Sequence, residues 1–455
     1  MSAGALDFEA LPDIARDAVR QALHSGATDA ECTISEGSEF SANVRMGELE
    51  TLKEAGSRGA GLRVLIGKRM GSSYTSDLSP EGIRQMVRSA IDLAALTTED
   101  PHAGLPEAEE LGSIGGDLQL FSPDVASLET ERKIDAARRA EAAALAFDPR
   151  ITNSEGAAFD SSIGGRVFAN SRGFSGAYRS TYCSVSAVPV AAQNGAMERD
   201  YWHALARDFA GLGDPEKIGR IAAQRTLRRL GAVKVETCRV PVVFEPRMAR
   251  TLVNEIFEAV DGRSIYREAS FLAGKLGEKI AAPHVTIVDD GTMPRLFGSQ
   301  PFDDEGVPTR RTPVVEHGVL KNYLLNAYTA RKLGMKTTGN ASRGITGNAG
   351  IGHGNLYLEP GEKTPEQIIS GVKDGFFVTE LIGTGVNTVT GDYSRGAVGL
   401  WIRNGELAFP VSEVTIAGTL QEMLMGITDI GNDLEFTSSL SAPTLMIGEM
   451  TVAGR

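Results

Sequence analysis

Residues 151–203 read ITNSEGAAFDSSIGGRVFANSRGFSGAYRSTYCSVSAVPVAAQNGAMERDYWH. Four β-like runs stand out in this stretch: Ile151–Phe159, Gly164–Asn170, Gly176–Val190 and Gly195–His203. Glycine or asparagine turns separate them, as in an antiparallel meander. Upstream, Ser127–Phe147 is alanine-rich, with Ile134, Ala137, Ala140 and Ala144 at helical spacing, and predicts a helix. Residues 97–123 gather Thr, Glu, Asp, Pro and Gly without periodicity, which marks a long surface connection. Ser79-Pro80 supplies an N-cap and an N1 proline for a helix to about Ala95. Before it, Ala60–Tyr74 alternates Leu62, Val64 and Ile66. Thr28–Val44 reads as a hairpin about Gly37, and residues 8–25 as a helix. Downstream, Pro215–Leu230 is an amphipathic helix.

From Val240 the texture changes. Val240–Phe244 is a short apolar strand and Pro246–Val260 a helix. Most later segments are short β-runs: Val285–Val288, Thr312–Glu316, Leu320–Leu325, Gly375–Gly383, Ala397–Asn404, Glu406–Val411, Val414–Ala417 and Thr444–Val452. Strands not regularly interleaved with helices favour antiparallel pairing. The predicted class is α+β: an N-terminal helix-and-antiparallel-sheet domain over 1–235, then a β-rich, mostly antiparallel domain over 236–455, with no internal repeat.

The charge balance, 46 basic against 59 acidic residues for a net −13, leaves no footprint for nucleic acid and disfavours anionic membranes. Met1–Glu9 lacks the cationic start and apolar run of a signal peptide, and no segment approaches the roughly 18 apolar residues of a span. Cys32, Cys183 and Cys238 lie far apart, as buried thiols of a cytoplasmic protein do. The 52 glycines among 455 residues, about 11% against the usual ~7%, call for many turns or close backbone approaches.

No two of the six histidines lie within five residues of each other, so no local metal motif is present. GxSxG is absent, and Gly391-Asp392-Tyr393-Ser394-Arg395-Gly396 reads as a turn in which Asp392 pairs with Arg395. Gly339–Gly354 contains neither a phosphate-binding GxxxxGK[ST] nor a complete GxGxxG; its Arg343, Asn348 and His353 are candidate peptide or partner contacts, as are Asp392 and Arg395. Asp303-Asp304-Glu305-Gly306 lacks the ligand spacing of a calcium loop and reads as a solvated turn.

Four stretches together are similar to the TldD/PmbA family, in its PmbA (TldE) branch: Val288-Asp289-Asp290-Gly291-Thr292, Phe302–Thr309, Gly385–Gly396 and Ile430-Gly431-Asn432-Asp433-Leu434. The resemblance implies peptide processing in the cytoplasm, in which a TldD-type subunit carries a zinc-binding HExxxH helix and a PmbA-type subunit pairs with it. The corresponding helix here, 246–260, reads Asn254-Glu255-Ile256-Phe257-Glu258-Ala259. Asparagine and alanine stand at the histidine positions, only Glu255 of the motif remains, and Glu435–Pro443 lacks the cysteine ligand that the catalytic branch uses. A general base without a metal-bound water has nothing to activate. The expectation is therefore a chain with no catalytic residue, metal or cofactor of its own, with zinc in a TldD-type partner. It would help enclose unfolded peptides and dimerise with itself when isolated. Two alternatives stand beside it: an autonomous peptidase using Glu255, Glu258 and Asp261, and a homodimeric peptide-binding or regulatory protein.

Overall fold

The computed structural model describes residues 8–455; residues 1–7, most of the stretch inspected for a signal peptide, lie outside the described residues. The N-terminal half begins with helix α1 (Leu11–His24), strands β1 (Asp29–Arg45), β2 (Glu48–Ile66) and β3 (Arg69–Thr75), and α2 (Pro80–Leu96). Ser79 caps α2 by accepting the Gly82 N–H at 3.2 Å. After the connection come α3 (Pro123–Ser127), α4 (Thr130–Leu145), β4 (Ile151–Asn170), β5 (Ser175–Gln193), β6 (Ala196–Arg199), β7 (Trp202–Ala206) and α5 (Pro215–Leu227). All seven strands form one sheet, in the order β3-β2-β1-β4-β5-β6 with β7 also on β5, and every pairing is antiparallel.

Three details differ from the sequence reading. The stretch read as a hairpin, Thr28–Val44, lies almost wholly in the single strand β1 (Asp29–Arg45), whose hairpin turn falls at Met46-Gly47, both at positive φ. Ile151–Asn170 is likewise unbroken, and the run ending at His203 splits into β6 and β7. Gly37 and Gly164 face each other mid-sheet. These glycines create a bare patch in very long strands instead of turning the chain.

Even-numbered residues of β1, such as Cys32, Ile34, Phe40 and Ala42, point to one face. There α1 and α2 cover one end of the sheet and α4 and α5 the other. Odd-numbered residues face the opposite way, and Glu31 and Thr33 are fully buried against the C-terminal half. The close fit shows at Gly61, where a Cβ would lie 1.6 Å from the Ile345 carbonyl oxygen.

The C-terminal half comprises β8 (Cys238–Phe244), α6 (Pro246–Val260), α7 (Gly262–Tyr266), β9 (Ile287–Asp290), β10 (Arg311–Glu316), β11 (Val319–Leu320) and α8 (Ala327–Leu333). It continues through β12 (Ala341–Ser342), β13 (Gly350–Ile351), β14 (Asn355–Leu358), α9 (Pro365–Ser370), β15 (Asp374–Ile382), β16 (Asp392–Arg403), β17 (Glu406–Thr419), α10 (Leu420–Met425), β18 (Ile427–Ile430), β19 (Leu440–Ser441) and β20 (Leu445–Ala453). Strands β17-β16-β15-β8-β20 close into a small barrel through the β17–β20 pairing, which removes their edges. Only β8–β15 and β14–β19 pair in parallel among the named strands. The expected strand Leu320–Leu325 shrinks to β11. Leu252, Val253, Ile256, Phe257 and Val260 of α6 join Val242, Phe244, Phe376 and Val378 of the barrel in one core.

Candidate functional site

Helix α6 starts where Pro246 occupies the first turn, after Glu245, which Arg225 holds by bonds of 2.8 and 3.0 Å. Its apolar stripe seats on the barrel, which turns the opposite face outward. Arg250, Thr251, Asn254, Glu255 and Glu258 line a cleft of about 710 Å³ there. Thr384, Val386, Thr388 and Arg395 form a second wall, and Ser438, Ser439 and Leu440 a third.

Each wall is fixed by one of the stretches quoted above. In the segment 385–396, the Asn387 side chain accepts the Val389 N–H at 3.0 Å, and the Asn387 N–H donates to the Asp392 carbonyl at 2.9 Å. A Cβ on Gly385 would lie 1.9 Å from the Ser394 carbonyl oxygen, so only glycine lets these backbones pass. Asp433 accepts the Thr444 N–H at 2.9 Å and its hydroxyl at 2.7 Å, closing the loop that carries Ser438. Arg250 Nη1 donates to Ser438 Oγ at 3.2 Å and joins that loop to α6.

Asn254 and Glu255 face the cleft, but Ala259 is fully buried in the core and does not line it. Glu258, one turn beyond Asn254, does. Positions five apart on a helix diverge, whereas positions four apart share a face. Burial raises the Glu255 carboxyl above its usual range, Arg395 opposes that rise, and Glu258 adds to it. Asp261 is drawn away from this face: it caps α7 through the Arg263 N–H at 2.7 Å and pairs with the Arg263 guanidinium at 3.0 Å.

The donors around the cleft are therefore an amide, two carboxylates, hydroxyls and two guanidiniums. No imidazole or thiolate lines it, and among the described residues no three His, Cys, Asp or Glu side chains gather as a metal would need. Arg250 and Arg395 would repel a dication. These residues do not fit zinc.

The remaining candidate contacts are dispersed. Arg343 is 8% exposed and pairs with Glu31 while donating to Thr33 Oγ1 at 2.9 Å, so it faces the interior. Asn348 is exposed on a second cavity that also involves Arg263 and Tyr328. His353 stands edge-on to Phe257 of α6, 4.8 Å between ring centres, with Nδ1 2.8 Å from the Gly354 carbonyl oxygen. Asp392 is exposed and accepts the Thr390 hydroxyl at 2.6 Å. It begins β16 instead of a turn, and no ion pair with Arg395 forms among the described residues. The acidic segment 303–306 is not solvated: Asp303 and Glu305 are at most 1% exposed, and Asp303 accepts the N–H groups of Glu305, Val307 and Ala341 at 2.9–3.0 Å. Sequence reasoning missed Arg250, which lies one turn before Asn254, and the hydroxyls of Ser438 and Ser439, noticed only as a segment without cysteine.

Residues 30–94, 123–230 and 237–454 match domain 1, the central domain and the C-terminal domain of the PmbA/TldA metallopeptidase. Metalloprotease PmbA of Escherichia coli O157:H7 is 40% identical across 98% of both chains. The chain belongs to the TldD/PmbA metallopeptidase family, in its PmbA branch. A PmbA homolog of Haemophilus influenzae is 34% identical over 96% of this chain and 94% of its own, and a TldD homolog of the same organism is 25% identical over 87% of each. Among solved structures, a Bacteroides thetaiotaomicron protein described as a candidate modulator of DNA gyrase superposes with a TM-score of 0.90 at 29% identity, covering 97% of this chain and 98% of its own. TldE from Thermococcus kodakarensis shares the fold at a TM-score of 0.86 and 24% identity, covering 97% of this chain and all of its own. No helix among the described residues is long and apolar enough to cross a membrane.

Proposed function

We propose that this PmbA-branch chain is a non-catalytic subunit that pairs with a TldD-type zinc metallopeptidase in the cytoplasm and supplies part of the chamber in which unfolded peptides are processed. The observation that carries this reading is the donor set of α6: Glu255 faces the cleft, yet its neighbours are Asn254, Glu258 and two arginines, while Ala259 points into the core. A carboxylate in that setting has no metal-bound water to deprotonate. The cleft nevertheless has a volume of about 710 Å³ and three fixed walls, which suits peptide holding. Haemophilus influenzae has both a PmbA homolog and a TldD homolog, as a paired system requires.

Elemental analysis of the isolated chain, joined to a peptidase assay with and without chelator, tests the claim. The expected result is no stoichiometric zinc and no cleavage; stoichiometric zinc with chelator-sensitive cleavage by a pure sample overturns it. In isolation the chain is expected to self-associate through the surface that otherwise meets the partner, giving a dimer mass by light scattering at micromolar concentration. A monomer mass would contradict that expectation.

A further inference from the structure

Beside the cleft lies a separate cavity of about 260 Å³, walled by Trp202 and His203 of β7, Arg247 and Arg250 of α6, and the 433–442 loop. Arg250 and Leu440 line both spaces, so the cavity opens beside the peptide cleft. Its charges balance in number, Arg225, Arg228, Arg247 and Arg250 against Asp200, Glu245, Asp433 and Glu435, but not in pairing. Arg225 and Arg228 are matched by Glu245 and Asp200 at 2.8–3.2 Å, a self-neutralising group of two cations and two anions. Asp433 is occupied by Thr444, and Glu435 is exposed at the rim.

Arg247 and Arg250 form no ion pair among the described residues. Arg247 is 8% exposed, its guanidinium lies 4.1 Å from the Tyr201 ring centre and 5.3 Å from that of Trp202, and its Nε has no hydrogen-bond partner. One long bond, 3.4 Å from Nη1 to the Tyr201 carbonyl, is its remaining polar contact. Burial still pushes the Arg247 pKa below its ordinary range although Glu245 and Asp200 act on it from beyond ion-pair distance, so an anion in direct contact would be favourable. His203, stacked on Tyr201, is no counter-ion, since an imidazole is never anionic; burial and then the positive charges of Arg247 and Arg250 push its pKa down to about 4, so it adds no third cation near pH 7.

We propose that this cavity binds a carboxylate carried by a peptide lying in the adjoining cleft, with Arg247 and Arg250 as its cationic partners. The inference rests on the peptide-holding reading above and adds a substrate class to it. A planar guanidinium matches the two oxygens of a carboxylate, and charge-assisted bonds in a shielded site are strong. Pro246, Leu440 and Ala442 on the same walls give the neighbouring apolar atoms of the peptide a surface. The carboxylate is either the chain terminus or an Asp or Glu side chain, since both present the same group.

Trp202 reports occupancy. The other tryptophan, Trp401, is 5% exposed inside the barrel core. The isolated full-length protein is titrated with one unstructured peptide in three forms: free C-terminal acid without internal acids, its C-terminal amide, and the amide carrying one internal glutamate. Trp202 emission is expected to change with carboxylate-bearing forms, and the plain amide should bind about tenfold more weakly, the loss of one charge-assisted pair. The two acid-bearing arms distinguish terminus from side chain. Arg247→Gln and Arg250→Gln should each abolish the preference; if Arg247→Gln does not fold, Arg250→Gln and the acid-to-amide comparison decide alone. Equal binding of all three forms, no binding by any, or an acid preference unchanged in Arg250→Gln overturns the proposal. The test involves neither partner nor cleavage, so its failure alongside intact stimulation of a TldD-type partner would remove this site and leave the subunit role standing.

Discussion

Glu31 is fully buried between Arg63, 2.7 Å away, and Arg343, which arrives from the C-terminal half; Arg63 also lies 3.7 Å from Glu305. The two arginines hold the Glu31 carboxyl below its ordinary range although burial alone would raise it. Replacing Glu31 with Gln leaves both guanidiniums without their shared anion, and about 3 kcal/mol of stability should be lost in chemical denaturation; a change under about 1 kcal/mol would show that the cluster is not an energetic anchor. Asp289 behaves in the opposite sense. Burial raises its carboxyl to about 7, against the hydrogen bond from Asn340. The native state therefore retains a proton that the unfolded chain releases near pH 4. Its contribution to stability is fully present below about pH 4 and is lost as the pH rises through 7. Asp289→Asn should flatten the fall in melting temperature between pH 5 and 8, and parallel curves for the two proteins would refute this. Neither role was legible in the sequence, where Arg343 looked like an accessible loop cation and 303–306 like a wet turn: burial and partners distant in sequence, 51 residues away for Asp289 and 312 for Glu31, leave no local pattern.

At the scale of elements, α6 was legible from its proline start and apolar spacing, but the direction of its residues was not. The family resemblance assigned Asn254 and Ala259 to one degenerate site although positions five apart diverge on a helix, and the helix indeed turns Ala259 inward and presents Glu258. Restoring histidine at 254 and 259 should bind no zinc and should lower the melting temperature, because an imidazole at the fully buried 259 overpacks the core. A folded double variant that binds zinc stoichiometrically would contradict this orientation. Long strands were under-read for a related reason: Gly37 and Gly164 look like turns, yet the ladder continues past them because a bare patch in a sheet needs glycine just as a turn does. Gly61 shows the same economy of space where loop 343–347 meets β2. Gly61→Ala should cost about 1–3 kcal/mol in denaturant unfolding, and a neutral outcome would mean that the loop can lift away from the sheet at no expense.

Over the whole molecule, a single helix-backed sheet presents its polar-buried face to a barrel-containing half, and the cleft opens on the α6 side of that barrel. The order of α+β and β-rich segments was readable because periodicity and turn residues act locally. Barrel closure between β17 and β20 was not, because it depends on a distant pairing. If the cleft serves a partner's chemistry and not its own, the decisive assay is of an unstructured peptide with a purified TldD-type metallopeptidase in the presence and absence of this chain. The two proteins should co-elute, and cleavage by the mixture should greatly exceed the sum of the separate proteins; equal cleavage by the TldD-type protein alone would refute a shared chamber.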